Sequence, residues 1–126
     1  MKPQNANPKK ILVVDDEPMV CEALKMMLHF EGHEVKTANN AQSALTLFEH
    51  EKFDVVITDY SMQPTKGDEL AAAIKARAPD QPVILITAYG EVLQASGKPL
   101  TGVDAIINKP FQVEDLRNAI AKLTAH

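Results

Sequence analysis

The sequence predicts an α/β domain of the doubly wound kind, a five-stranded parallel sheet with helices on both faces. Three observations carry that prediction. Short continuous apolar runs recur along the chain, as in strands covered on both sides. Segments with apolar residues at helical spacing lie between them. Regular alternation of the two leaves few arrangements besides a parallel sheet joined by right-handed crossovers.

The elements follow in order. Met1 to Pro8 is polar, proline-bearing and aperiodic, and reads as a flexible tail ahead of a domain spanning residues 9–126. Ile11 to Val14 is the first strand. Pro18 suits a first helical turn, and Val20, Leu24, Met27 and Leu28 continue at helical spacing until Gly32. Glu34 to Ala38 is strand-like, and Ala41 to Glu51 is helical with Leu45 and Phe48 inward. Phe53 to Thr58 is a further apolar run. Leu70, Ala73 and Ile74 mark a third helix, Pro82 to Thr87 the clearest strand, and Ala105 to Asn108 the fifth. A closing helix carries Val113, Leu116, Ile120 and Leu123 on one face. The fourth helix, within "EVLQASGKPLTG", is expected to be short or irregular, because it contains Gly97, Pro99 and Gly102.

Composition narrows the function. A chain of 126 residues with 45% apolar content has the size and core of one domain. With 13 basic and 17 acidic residues its net charge is -4, which excludes the broad cationic field that direct nucleic-acid binding needs. No apolar stretch approaches membrane-spanning length, and the start lacks the hydrophobic segment of a secretory signal; no membrane insertion and a cytoplasmic location are expected. The single cysteine, Cys21, cannot form an internal disulfide and falls among apolar neighbours, where a small buried residue is the common use.

In such a sheet, ligands bind beyond the carboxyl ends of the strands, where strand order reverses. Those ends carry Asp15 and Asp16, Asp59, Thr87, and Asn108-Lys109-Pro110. Two carboxylates about 4 Å apart repel by roughly 4 kcal/mol at an effective dielectric of 20. Lys109 supplies one positive charge, and a divalent cation would supply the rest. Oxygen ligands without histidine or cysteine favour Mg²⁺ over zinc. Such an ion keeps positions open for water and a phosphoryl group, and an aspartate can attack phosphorus. Singly, an Asp after a strand is more often a turn former or helix cap. Their joint occurrence at four strand ends is what favours function.

The segments "VVDDEP", "VVITDY" with Gly67 eight residues after Asp59, "LITAYG" and "NKPF" resemble the receiver domain of two-component response regulators. The likeness runs from about Lys10 to Leu123, in the style of a chemotaxis-regulator-like single domain with a flavodoxin-like fold. It implies that Asp59 is the phosphoacceptor, taking its phosphoryl group from a sensor histidine kinase or a histidine phosphotransfer protein. It further implies that Asp16 and Asp59 bind Mg²⁺ directly, Asp15 mostly through water, and Ser61 through its backbone carbonyl. Lys109 would contact the phosphoryl oxygens, and Thr87 would be the switch hydroxyl that alters a surface read by a downstream protein target. A cis peptide before Pro110 would aim the lysine, while Ser61 and Tyr89 would tune dephosphorylation. The domain would be no enzyme beyond its own phosphorylation and dephosphorylation.

Three departures from the family pattern stand out. Gln63 occupies the usual proline position, with Pro64 following, which implies a loop of altered geometry. Ile106 replaces the aromatic that commonly moves with the threonine. The interrupted fourth helix implies an unusual partner, order gained on binding, or a shortened loop without consequence.

Other features carry less. His29, His33, His50 and His126 lack metal-ligand spacing and read as solvated or capping groups. Met19, Met26, Met27 and Met62 read mostly as core, and Lys9 and Lys10 as a solubilising approach to the first strand. Two competing functions remain. A haloacid-dehalogenase-like phosphohydrolase would want Asp-x-Asp after the first strand, where Asp15-Asp16-Glu17 stands. A phosphorylation-independent binding module would have little use for so many acids. Nucleotide-cofactor binding lacks a glycine-rich loop after the first strand.

Overall fold

The computed structural model describes residues 8–88 and 102–125. Among the described residues the chain forms β1 (Lys10–Val14), α1 (Pro18–Phe30), β2 (Glu34–Ala38), α2 (Ala41–His50), β3 (Val55–Asp59), α3 (Gly67–Arg77), β4 (Val83–Thr87), β5 (Ala105–Asn108) and α4 (Val113–Thr124). The strands pair in parallel in the order β2-β1-β3-β4-β5. The helix expected between β4 and β5 falls almost wholly on residues 89–101, as Tyr89 does, outside the described residues. So does most of the expected tail, residues 1–7.

Strand alternation sorts the core into two layers. Ile11, Val13, Ile57, Ile84 and Ile86 face one side, with Leu24 and Leu28 of α1 and Leu116 and Ile120 of α4. Leu12, Val14 and Val56 face the other, with Ala41 and Ala44 of α2 and Leu70 and Ile74 of α3. The split follows from handedness, because right-handed crossovers in opposite directions across a sheet put their helices on opposite faces. The step from β1 to β2 runs one way, and the steps from β2 to β3 and β3 to β4 run the other. Strand order therefore reverses between β1 and β3, the place where a ligand cleft is expected.

Local chemistry sets the boundaries. Pro18 opens α1. Gly32, at φ 98°, closes it: the Gly32 and His33 N–H groups donate to the carbonyls of His29 and Leu28, a Schellman pattern that needs the left-handed residue. Asn40 caps α2 by accepting from the Ser43 N–H at 2.7 Å. Several expectations shift. Strand β3 starts two residues later than the apolar run, after Asp54, whose carboxylate takes the Lys10 N–H at 2.8 Å, and it reaches Asp59, which pairs with Ile86. Ala71 rather than Ala73 completes the buried stripe of α3. His33 is buried, accepting the Lys9 N–H on Nδ1 at 2.9 Å. Met62 is core, but Met19 and Met26 are 84% and 70% exposed, because α1 buries the opposite stripe of Cys21, Leu24 and Leu28.

Candidate functional site

Register builds the site. Val14 pairs with Thr58, so the next step along β1 and β3 sets Asp15 beside Asp59; Asp59 in turn pairs with Ile86, and Thr87 with Asn108. Asp15, Asp59 and Thr87 are buried, and Asp16 is exposed at the rim. One carboxylate oxygen from each of Asp15, Asp16 and Asp59 lies within 4.8 Å of the others. The Lys109 ammonium reaches across from the end of β5 and donates to Asp59 Oδ1 at 2.7 Å. Its N–H donates to the Thr87 carbonyl at 3.0 Å, and the Lys109–Pro110 peptide is cis.

Strand β3 is held tightly below the site. The Tyr60 N–H continues the ladder to the Ile86 carbonyl at 2.9 Å, and the Thr58 hydroxyl donates to the Asp59 carbonyl at 3.1 Å. Gly67 begins α3 against that same carbonyl: a Cβ there would overlap the Asp59 oxygen and come within 2.9 Å of Asp59 C and of a Leu85 methyl. The family resemblance marks Gly67; its contact is what explains the residue type. Ser61 is exposed in the loop leaving β3, and the Gln63–Pro64 peptide there is also cis. Ile106 is half-buried and pairs with Leu85.

The electrostatics are unbalanced. Burial, followed by the charges of Asp59 and Asp16, pushes the Asp15 carboxyl up to about 6 against the opposing Glu17 N–H bond and Lys109 charge. Burial pulls the Lys109 ammonium down, but its bond to Asp59 and the charges of Asp59, Asp15 and Glu17 outweigh it and leave its pKa raised. Among the described residues, three carboxylates thus share one ammonium. Sequence reasoning saw these groups yet missed what orients them: the Glu17 N–H on Asp15 Oδ1 at 2.9 Å and the Cys21 thiol on the Asp15 carbonyl at 3.3 Å. Burial pushes the Cys21 thiol up, and the Asp15 charge adds to it, so the sulfur stays protonated.

Residues 11–121 match the family of the response regulator receiver domain. The chain belongs to that family. It is 31% identical over 116 residues to the probable transcriptional regulatory protein TcrX of Mycobacterium tuberculosis, covering 92% of this chain and 50% of that one. It is 35% identical over 113 residues to the transcriptional regulatory protein GlrR of Escherichia coli K12, covering 90% of this chain and 26% of GlrR. The chain therefore spans half or less of the length of these relatives. Among solved structures, a receiver domain protein of Clostridium thermocellum superposes with a TM-score of 0.84 at 33% identity, covering 91% of this chain and 93% of that one. The response regulator TrrA of Thermotoga maritima, solved in complex with Mg(2+)-BeF, gives 0.82 at 37% identity, covering 91% and 98%. Among the described residues no helix is long and apolar enough to cross a membrane.

Proposed function

We propose that this receiver domain takes a phosphoryl group from a phosphohistidine onto Asp59. The supporting observation is a buried Asp59 carboxylate held by Lys109 at 2.7 Å inside a three-acid cluster. The donor set suits Mg²⁺: oxygen only, close enough to share an ion, and three carboxylates to the one ammonium that reaches them among the described residues. Asp16 and Asp59 would hold the ion directly, Asp15 mostly through water, and the Ser61 carbonyl would complete the protein ligands. When bound, Mg²⁺ offsets the negative charge of the acids and of the incoming phosphoryl oxygens.

The chain's own groups do the rest. Lys109 anchors Oδ1, which leaves the second Asp59 oxygen to attack phosphorus. An O–P bond forms, the N–P bond breaks with its electron pair going to nitrogen, and the donor ring, already protonated on its other nitrogen, leaves as neutral imidazole. The ammonium then shifts from the carboxylate to a phosphoryl oxygen, and the Thr87 hydroxyl donates to another. Drawing Thr87 inward moves the β4 end and, with it, the surface presented to a downstream protein. A shift from 1:99 to 99:1 requires about 5.5 kcal/mol of differential stabilisation. Ile106 gives that movement an aliphatic rather than aromatic follower. Ser61 and Tyr89 would set how long the acyl phosphate lasts.

The partner that brings the phosphohistidine, a sensor histidine kinase or histidine phosphotransfer protein, must cover the rim. Met19, Met26 and Phe30, exposed at 84%, 70% and 56%, form an apolar strip on α1 that starts beside Asp16 and Glu17. A helix of the donor protein laid along this strip would bring its histidine to Asp59.

Intact mass after incubation with Mg²⁺ and either acetyl phosphate or a phosphorylated donor protein tests the chemistry. One phosphate adduct is expected on the wild type and none on Asp59→Asn. An adduct that persists in Asp59→Asn, or none on the wild type with any donor, overturns the assignment.

A further inference from the structure

The end of β1 is pinned at three points. The Asp15 N–H donates to the Ala38 carbonyl at 3.2 Å, and Asp15 Oδ1 accepts from the Glu17 N–H at 2.9 Å. The third point is the Asp15 carbonyl, 3.3 Å from the sulfur of Cys21, whose thiol also stands 3.6 Å from the Ala38 carbonyl. Cys21 is 4% exposed and belongs to α1, so this one side chain ties the helix to the ends of two strands. A thiol carries one hydrogen, which it gives to one carbonyl or shares between the two.

This contact acts on the site through the backbone. The Asp15 carbonyl and side chain hang from the same Cα, so holding the carbonyl fixes the direction from which the carboxylate projects, and the Glu17 N–H then limits its turn. Mg²⁺ tolerates little departure from octahedral geometry, so a small turn of one carboxylate, or of a water that it holds, weakens binding. Resting on the Mg²⁺ reading above, we propose that Cys21 is a positioning residue: its thiol, by donating to the Asp15 carbonyl, aims the Asp15 carboxylate and thereby sets the metal affinity of the site.

Packing is the rival explanation, since Cys21 also lies in the core layer with Leu24 and Leu28. Substitutions separate the two. Serine keeps a donor but loses volume, valine keeps volume but loses the donor, and alanine loses both. Positioning groups Cys with Ser against Val and Ala; packing groups Cys with Val against Ser and Ala.

The experiment is a calorimetric titration of the full chain with Mg²⁺, for wild type, Cys21→Ser, Cys21→Val and Cys21→Ala. Positioning predicts that the serine variant stays within about twofold of wild type and that the other two bind about threefold or more weakly, the size of one modest hydrogen bond. Equal binding by wild type and Cys21→Val overturns the proposal, as does equal weakening in Cys21→Ser and Cys21→Ala. A wild type that binds no Mg²⁺ overturns the metal reading itself. Because the chain has a single cysteine, its infrared S–H stretch reports on this contact alone and without metal. The band is expected at lower frequency in the folded protein than in denaturant; an unchanged position overturns the thiol–carbonyl bond even if no variant folds.

Discussion

The two ends of the sheet handle charge in opposite ways. At the amino ends of the strands, acids and bases meet in pairs: Lys10 with Glu51 at 2.6 Å, Lys75 with Asp104 at 2.8 Å, and Arg117 with Glu31 at 2.6 Å. At the carboxyl ends, among the described residues, Asp15, Asp16 and Asp59 cluster near the ammonium of Lys109, which pairs with Asp59. The paired end fastens loops and helix termini at little net cost or gain, as exposed ion pairs do. The other end holds three acids near one another and pairs one of them with Lys109, and on the proposed function that imbalance is what suits it to a cation and to phosphorylation chemistry. Buried charge left unbalanced is thus the more informative signal.

Three perturbations would break or sharpen this contrast. The largest effect is expected from Gly67→Ala, because the new methyl has to displace the Asp59 carbonyl or Leu85 at the floor of the acidic end. Denaturant unfolding should show a loss of about 3 kcal/mol, together with weaker Mg²⁺ binding. An unchanged midpoint would mean that β3 is not wedged against α3.

Next comes the pH response. The folded-state pKa of Asp15, about 6, lies above its ordinary value of 3.8, so the folded chain binds that proton more tightly than the unfolded one. Without metal, this contribution is present in full below about pH 3.8 and is lost as pH rises through about 6, on the order of 3 kcal/mol for a group only 3% exposed. Asp15→Asn should remove this slope. Adding Mg²⁺ at about 100 times its dissociation constant should stabilise the domain by about 2.7 kcal/mol at neutral pH and reverse the slope, since metal binding requires ionised acids. The paired end moves the other way: hydrogen bonds from Arg117 and Lys10 hold Glu31 and Glu51 below the ordinary 4.5, so their contribution fades only as pH falls below that value. Metal-free thermal melts from pH 4 to 8 that rise steadily with pH would contradict the assignment for Asp15.

Arg117→Ala should have the smallest effect. It removes an exposed pair from the balanced end, so unfolding should shift only slightly, and less again at high salt, with phosphate labelling of Asp59 unchanged. A large loss of labelling would show that the two ends are coupled through α1 and α4.

Much of this protein is legible in its sequence. Hydrophobic period distinguishes strand from helix, and handedness then leaves little choice of topology. The acids, Thr87 and Lys109 are readable because each sits at a strand end, and strand ends converge in a parallel sheet. Less legible are features that depend on what lies opposite in space. Nothing in the chain separates exposed Met26 from buried Met62, or says that His33 accepts from Lys9. Gly67 can be singled out by the family resemblance, but its reason for being glycine is an oxygen eight residues away.

Local sequence therefore determined the alternating elements, their order and the types of side chain gathered at one edge, because propensity and periodicity act over a few residues. Tertiary structure alone decided which oxygens face each other, that Lys109 takes Asp59 Oδ1, and that Cys21 touches the Asp15 carbonyl. Those contacts join residues distant along the chain, and only strand register and helix packing bring them within hydrogen-bond reach.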